Sequence, residues 1–227
     1  MKANFLKGRA VMLSLIIITA IGITVSGIVY DQDFFKMLPL YVSLSVMLFQ
    51  SDALRIAPLI GGLNSLLYAV VDYSYGLYAS ALSDILIYCP FQIATFLLWT
   101  RKKDGATTIF RSLKLKWWAV LIFVIVSAYI PALIANMRLD ATLPALDTYV
   151  LIGGLVTQLL MLLAMREYTY FMLISAIVTI ILNVFIITSS PDRLSYLIYS
   201  IYSAICCLKG AVAVHKIYKR QKGKSAK

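Results

Sequence analysis

The sequence predicts an all-α, polytopic membrane protein with eight transmembrane helices. Of its 227 residues, 61% are hydrophobic and only 14% are charged, whereas soluble domains carry about 25% charged residues. Apolar runs close to the length of a bilayer crossing recur along nearly the whole chain. These runs are continuously apolar and do not alternate with polar residues, which disfavours a transmembrane β-barrel.

Short polar segments separate the predicted crossings, which lie at about residues 11–30, 35–50, 56–73, 77–99, 117–137, 148–165, 168–189 and 194–215. The first run follows "MKANFLKGR" and resembles a signal peptide. It extends from Val11 to about Tyr30, however, and no cleavage site of the A-x-A type follows. We therefore expect a retained first helix.

The positions of the lysines and arginines test this number of crossings. With the N-terminus inside, seventeen of the 21 cations fall in the inner segments, and only Lys36, Arg138 and Arg193 fall in the outer ones. Such an excess of inner cations sets the orientation of membrane proteins. Both termini are predicted to be cytoplasmic, in a bacterial inner membrane. The net charge of +11 is explained by topology and by contact with lipid headgroups, and nucleic acid is not predicted as a partner.

Two segments of the chain resemble each other. "YVSLSVMLFQ" (41–50) and "YVLIGGLVTQ" (149–158) share Tyr-Val and a glutamine at the same spacing. After the first helix, crossings two to four and six to eight form two three-helix units separated by the fifth, so both units have the same orientation, a parallel 3+1+3 repeat. The predicted segments are 1–34 (N-terminus and first helix), 35–100 (first repeat), 101–140 (basic loop and linker helix), 141–215 (second repeat) and 216–227 (basic tail).

Polar residues on the fourth crossing are the main candidates for a functional site. A helical spacing of three or four residues places on one face Asp84, Tyr88, Gln92, Thr95 and Trp99. A carboxylate in hydrocarbon costs about 2.5 kcal/mol or more, so this face should line a bundle interior or a wet cavity. Pro90 lacks an N–H group and should kink the helix there. The alternative is that Asp84 and Gln92 join helices, while Trp99 anchors the interface.

Further polar side chains at membrane depth extend the candidate site. The substrate-binding candidates among them are Asn64, Gln158, Asn183, Tyr199 and Tyr202. Lys209 is expected to reach the inner surface, with pairing to Asp84 as the alternative. Gly61-Gly62 and Gly153-Gly154 are expected to allow close helix packing.

Enzymatic and metal-dependent functions find no support in the sequence. The cysteines Cys89, Cys206 and Cys207 lie in apolar runs without ligand spacing, and His215 is the single histidine. No nucleophile–base pairing is present. We predict no catalytic residues, no metal site and no cofactor.

Two segments resemble the PnuC family of vitamin transporters. "GLYASALSDILIYCPFQIATFLLW" (76–99) has the family's glycine-leucine-tyrosine entry, central glutamine and closing tryptophan. "LPALDTYVLIGGLVTQLLMLLAMRE" (143–167) has its proline and aspartate entry, central glutamine and basic-Glu ending. The resemblance implies a homotrimeric facilitator, without ion coupling, for nicotinamide riboside or a related vitamin. It also implies that a cytoplasmic kinase traps the imported substrate by phosphorylating it. By the same resemblance, Gln92, Trp99 and Gln158 match binding positions. The family's paired tryptophans after the glutamate are replaced by "YTYF" (168–171).

The polar inventory also bears on the substrate. One acid, several amides and hydroxyls, and a single intramembrane cation suit a neutral or cationic, ring-bearing small molecule better than a phosphorylated one. Asp84 and Gln92 are expected to hold ribose or amide groups, Gln158 and Asn183 to complete the polar shell, and aromatic side chains to enclose the ring. The alternatives are a thiamine or riboflavin facilitator, a SWEET-like sugar facilitator, an ion-coupled carrier, or a non-transporting membrane scaffold.

Overall fold

The computed structural model describes residues 2–74, 84–138, 143–188 and 191–225. Eight α-helices run through these residues, numbered here α1 Lys2–Val29, α2 Phe34–Ser51, α3 Ala57–Ser74, α4 Cys89–Arg101, α5 Leu115–Arg138, α6 Pro144–Leu162, α7 Tyr168–Ile187 and α8 Leu194–Ser225. A π-helical turn, Asp84–Tyr88, leads into α4, and a 3-10 turn, Pro191–Arg193, precedes α8. The α4–α5 connection forms a small antiparallel hairpin of β1 Lys103–Asp104 and β2 Thr107–Thr108.

Six of these helices, α1, α2, α5, α6, α7 and α8, are long and apolar enough to cross a membrane, and α3 contributes a shorter apolar helix over Ala57–Val71. The predicted fourth crossing begins at residue 77, and its part up to residue 83 lies outside the described residues. The predicted all-α, eight-helix polytopic architecture is therefore confirmed at the level of the helices.

Helix ends follow local chemistry. The Asp33 carboxylate accepts a hydrogen bond from the Phe35 N–H at 3.0 Å and caps α2. Pro144 occupies the first turn of α6, where its missing N–H costs no helical hydrogen bond. Ala53 and Ala164 adopt φ of 52° and 53° just beyond α2 and α6, the left-handed conformation that often ends helices.

The fourth helix is interrupted where the sequence predicts. Pro90 cannot donate to the carbonyl of Leu86, and the backbone accommodates this loss with the π-helical turn immediately before α4. The turn changes the number of residues per helical turn, so Asp84 and Tyr88 are not in perfect helical register with the residues of α4.

Helix packing arranges the chain in two groups joined by α5. Consecutive helices pack together within α2–α3–α4 and within α6–α7–α8, while α2 packs against α8 and α4 against α6. Helix α1 lies on α8, and α5 lies on α6. None of the side chains of α5 is buried, and Phe123 is 72% exposed. This helix therefore leaves most of its apolar surface exposed on the outside of the bundle.

Helix α8 is longer than the sequence predicts. It continues past residue 215 to Ser225, through a segment expected to be a basic tail. The reason is a docking contact, since the Gln221 side chain of this extension bonds to β2 and to Phe110 after it. Lys209 of α8 forms an ion pair with Asp52 at 2.6 Å, at the end of α2, and not with Asp84.

Candidate functional site

A cavity of about 320 Å³ lies between the two helix groups. Helices α2, α3, α4, α6, α7 and α8 all supply described lining residues, and α1 and α5 supply none of them. The volume is at the lower end of the range for small-molecule sites, about 300–1,000 Å³. Its position between all six helices fits a solute site within the membrane.

The lining is polar but carries no formal charge among the described residues. Its hydroxyl and carboxamide side chains are Ser43, Gln50, Asn64, Ser65, Tyr68, Gln92, Thr157, Gln158, Ser175, Thr179, Tyr199, Ser200 and Ser203. Apolar contacts come from Met47, Met161 and Met172, whose thioethers adapt to varied ligand shapes. Such a wall offers hydrogen bonds and polarisable surface without an ionic partner.

Four lining side chains have a buried oxygen that no protein group satisfies. These atoms are Oδ1 of Asn64, Oε1 of Gln92, Oε1 of Gln158 and Oγ of Ser175. A buried polar atom without a partner costs about 1–3 kcal/mol, and native proteins usually satisfy such atoms. Four around one cavity are therefore the marks of a site that a polar ligand or solvent completes.

Asn64 shows how such an oxygen is held in place. Its Nδ2 group donates to Ser43 Oγ at 2.8 Å and to the Pro39 carbonyl at 3.2 Å. Pro39 lies inside α2, so Asn64 ties α3 to α2 through its nitrogen. Its Oδ1 atom is buried and has no protein partner, while the amide is held in place through its nitrogen.

Of the ten candidate residues from the sequence, four line the cavity: Asn64, Gln92, Gln158 and Tyr199. They come from α3, α4, α6 and α8, so the fold brings together side chains that are far apart in the sequence. Three of the four carry an unpartnered buried oxygen. Carboxamides thus supply three of the four unpartnered oxygens around the cavity.

Asp84 and Tyr88 lie on the π-helical turn beside the cavity and are not among its lining residues. Both are half-buried. The Tyr88 hydroxyl approaches the backbone of Gly154, a lining residue of α6. These two side chains therefore adjoin the site at one end.

Thr95 and Trp99 are buried on the inward side of α4 but are occupied by structural contacts. The Thr95 hydroxyl donates to the Phe91 carbonyl of its own helix at 2.7 Å. The Trp99 indole donates to the Met161 carbonyl at 2.9 Å and packs edge-on to Phe110, with ring centroids 5.6 Å apart. Neither residue lines the cavity, since both lie one to two turns beyond Gln92 along α4.

Asn183 and Tyr202 likewise join helices outside the lining. Asn183 Nδ2 donates to Ser200 Oγ at 2.9 Å, linking α7 to α8, and Ser200 itself lines the cavity. The Tyr202 hydroxyl donates to the Leu44 carbonyl at 2.9 Å and fastens α8 to α2. Their hydrogen bonds hold two of the cavity walls together.

Sequence reasoning missed most of the lining hydroxyls and Gln50. Serines and threonines are common in membrane helices and carry no signal of their own. Gln50 did carry one, since it occupies in "YVSLSVMLFQ" the place that Gln158 occupies in "YVLIGGLVTQ". In the structure its Nε2 group lies 3.6 Å from Met161 Sδ, across the cavity wall.

A second polar cluster lies at the end of the bundle that carries the hairpin, and we call it the hairpin junction. It comprises β1, β2 and the segment to Leu113, the α6–α7 turn with Glu167, and α8 from Lys216 onward. Gln221 accepts from the Phe110 N–H at 3.0 Å and donates to the Thr108 carbonyl at 2.9 Å and to Asp104 at 3.0 Å. Together with Lys224 and Arg220, the Gln221 hydrogen bond lowers the pKa of the Asp104 carboxyl.

Glu167 occupies the centre of this junction. Its carboxylate is buried and accepts from the Ser112 hydroxyl at 2.8 Å, the Leu113 N–H at 3.1 Å and Arg166 Nε at 3.1 Å. The Arg166 guanidinium also stacks over the Tyr218 ring, 4.5 Å from its centroid. Glu167, in the turn between α6 and α7, therefore serves to join α6, α7 and α8 to the hairpin segment.

Comparison with known proteins agrees with this architecture. Residues 33–210 match the family model described as "Nicotinamide mononucleotide transporter". The chain belongs to this family, the PnuC family of membrane transporters. The match covers both helix groups and the cavity between them, and it excludes only α1 and the end of α8.

A curated relative of this family member is the nicotinamide riboside transporter PnuC of Neisseria mucosa, 30% identical over 179 residues. The match covers 73% of this chain and 65% of the relative, so the chain spans slightly less than two thirds of the relative's length. A solved structure described as the crystal structure of the vitamin B3 transporter PnuC superposes with a TM-score of 0.75 at 21% identity, covering 92% of this chain and 91% of that one.

These findings confirm the family resemblance that the sequence indicates. They also confirm the predicted class, since the family is one of membrane transporters and not of enzymes. The similarity to the solved structure supports the fold of this PnuC family member. With its apolar helices, the chain is a multi-pass protein of the bacterial inner membrane.

Proposed function

We propose that this PnuC family member imports nicotinamide riboside, or a closely related water-soluble vitamin precursor, by facilitated diffusion. The observation that carries the proposal is the set of four unpartnered oxygens on a cavity whose described lining residues are uncharged. Nicotinamide riboside offers a carboxamide N–H₂ group and ribose hydroxyls as donors to such oxygens. The curated relative, named a nicotinamide riboside transporter, supports the same substrate.

The lining favours the riboside over the mononucleotide that the family description names. A phosphate group binds in proteins through arginine, lysine or clustered N–H donors. No lysine or arginine is among the described residues of the cavity wall. The unphosphorylated nucleoside therefore matches this lining better, and Tyr68 and Tyr199 offer aromatic surface to its cationic ring.

Passive exchange is also part of the proposal. Ion-coupled carriers commonly use an intramembrane acid that binds the coupling ion, and none of the described lining residues is acidic. Asp84 is the nearest candidate for such a role and lies beside the cavity. We assign to it the positioning of the adjacent tyrosines, and no part in ion coupling.

Uptake into liposomes reconstituted with the full chain tests the proposal. We expect saturable entry of labelled nicotinamide riboside that persists when proton and sodium gradients are abolished, and little entry of the mononucleotide. Uptake that stops without a proton gradient would indicate a coupled carrier. Preferential entry of thiamine, riboflavin or a hexose would assign a different substrate. If the protein is a non-transporting scaffold, we expect no uptake, and Asp84→Leu should disrupt the complex that the protein forms.

The arrangement of the bundle is proposed along with this function. We infer that segments 35–100 and 141–215 are parallel repeats around the linker helix α5, supported by the reciprocal packing of α2 on α8 and α4 on α6. The termini and the hairpin junction are assigned to the cytoplasm, and three copies to the assembly. The cysteines are buried, so a Lys222→Cys variant labelled by an impermeant maleimide only in opened cells would support this orientation.

A further inference from the structure

Two glycines lie directly behind two of the unpartnered oxygens of the cavity. Gly61 of α3 faces Gln92 of α4, and a methyl group on Gly61 would overlap the Gln92 carboxamide. Gly153 of α6 faces Ser175 of α7, and a methyl group there would lie 2.8 Å from the serine Oγ. Side-chain carbons do not approach other atoms this closely, so a larger residue at either place must displace the polar group.

The neighbouring glycine, Gly62, faces different atoms at the place where a side chain would lie. A methyl group on Gly62 would lie 3.3 Å from the Cys89 carbonyl oxygen, Gln92 Cβ and Ile93 Cγ1, that is, mainly against the body of α4. Gly62 therefore permits close approach of two helices. Gly61, one residue earlier, instead makes room for the head of a single polar side chain.

We propose that Gly61 and Gly153 are positioning residues of the solute site, each providing the niche that holds one polar group at the cavity wall. A glutamine side chain has several rotatable bonds, and an amide in a membrane interior will bond to any partner within reach. The niche at Gly61 keeps the Gln92 carboxamide against the α3 backbone, with Oε1 free of protein donors. The niche at Gly153 does the same for Ser175 Oγ.

The two niches occupy corresponding walls of the cavity. Gly61 and Gln92 connect α3 with α4, within one helix group, and Gly153 and Ser175 connect α6 with α7, within the other. Each group thereby supplies one oxygen whose place depends on a glycine of the adjacent helix. This inference rests on the proposed function, because the two niches are proposed to affect the affinity of the cavity for its solute.

A stability cycle tests the niche without any ligand. We expect Gly61→Ala to lower the Tm of the purified protein by about 2 °C or more, and to have almost no effect when Gln92→Ala is also present. Equal loss in both backgrounds would overturn the inference for Gly61. The matched control is Gly62→Ala, whose cost should be the same in both backgrounds, because Gln92→Ala keeps the Cβ atom that Gly62 faces.

The second niche is tested in the same way. The expected loss for Gly153→Ala is of similar size, and Ser175→Ala should relieve it, because that change removes only the Oγ atom facing Gly153. A Gly153→Ala loss that Ser175→Ala leaves unchanged would assign Gly153 to helix packing and contradict the proposal.

A binding measurement separates the proposed positioning role from a role in helix packing alone. We expect Gly61→Ala to weaken nicotinamide riboside binding about tenfold, and Gln92→Asn in the same chain to recover part of it, since the shorter amide clears the added methyl. Absence of recovery would contradict the inference. If the unsubstituted protein does not bind nicotinamide riboside, the proposed function fails, and the stability cycles still decide the role of the glycines.

Discussion

Two glutamines of the cavity, Gln92 and Gln158, and the glutamine of the hairpin junction have opposite surroundings. Gln221 uses both ends of its carboxamide, accepting from Phe110 and donating to Thr108 and Asp104. Gln92 and Gln158 keep a buried Oε1 atom without any protein partner. The same type of side chain therefore has all its polar groups bonded in one region and retains an unpartnered buried oxygen in the other.

The two environments contribute to the free energy of folding with opposite signs. A satisfied internal hydrogen bond contributes about 0.5–1.5 kcal/mol, whereas a buried unsatisfied polar atom costs about 1–3 kcal/mol. The hairpin junction gains stability from its paired polar groups. The cavity instead retains a cost that a ligand with the matching donors removes, and this cost becomes part of the binding free energy.

The largest effect is expected at Glu167 in the hairpin junction. Glu167→Ala removes an acceptor shared by Ser112, Leu113 and Arg166, and should lower the free energy of unfolding by about 3 kcal/mol. Chemical denaturation in detergent measures it. Glu167→Gln, which keeps one acceptor, should lose about half as much. An unchanged stability in Glu167→Ala would show that the junction does not support the fold.

The next effect concerns Gln221 itself. Gln221→Ala breaks its bonds to Phe110, Thr108 and Asp104, and we expect a loss of about 2 kcal/mol of unfolding free energy. Solute affinity of the folded protein should stay within twofold of the unsubstituted chain. A large fall in affinity with intact stability would reverse the roles assigned to the two regions. Thermal unfolding and equilibrium binding of one preparation give both numbers.

Asn64 both joins helices and carries an unpartnered oxygen, so its substitution should change both the stability and the solute affinity. Its nitrogen is bonded to Ser43 and to the Pro39 carbonyl, while its oxygen has no partner. Asn64→Ala is expected to cost about 1 kcal/mol of stability and to weaken nicotinamide riboside binding several-fold. Asn64→Asp retains the oxygen but loses the donors, so it separates the two contributions. A change in only one of the two quantities for Asn64→Ala would contradict the double role.

The smallest effect is the acid sensitivity of the hairpin junction. The hydrogen bond from Gln221, with Lys224 and Arg220 nearby, places the folded-state pKa of Asp104 below its unfolded value, which is about 3.9. The resulting stability is present above the unfolded pKa and is lost as pH falls through the folded pKa. The Tm should thus show a small decline below about pH 4. Asp104→Asn should remove this part of the decline, and an identical profile would contradict the assignment.

The helices and their approximate bounds could be predicted because hydrophobic runs and the placement of cations carry strong signals. The extension of α8 could not, since "KIYKRQKGKS" is as polar as a solvated tail and becomes docked only through Gln221. The hairpin was not predicted either, although Asp104-Gly105 is a common sequence of short hairpin turns, and Gly105 adopts a φ of 63° between the two strands.

The candidate site was predictable to the extent that amides mark it. An asparagine or glutamine in an apolar helix needs a partner, and this expectation singled out Asn64, Gln92 and Gln158, which line the cavity, together with Asn183, which does not. Helical spacing alone could not separate Gln92 from Thr95 and Trp99, because all three face inward and only their depth along α4 differs. Depth is set by how α4 and α6 pack, with Trp99 bonded to Met161 at the hairpin end.

The most direct test compares glutamines by calorimetric titration of nicotinamide riboside. We expect Gln92→Ala and Gln158→Ala each to raise the Kd about tenfold, equivalent to one hydrogen bond of about 1.4 kcal/mol, with the Tm unchanged or slightly raised. Gln221→Ala is the matched control, with a lower Tm and an unchanged Kd. If the cavity variants bind as tightly as the unsubstituted protein, the unpartnered oxygens do not bind the solute, and the central claim is wrong.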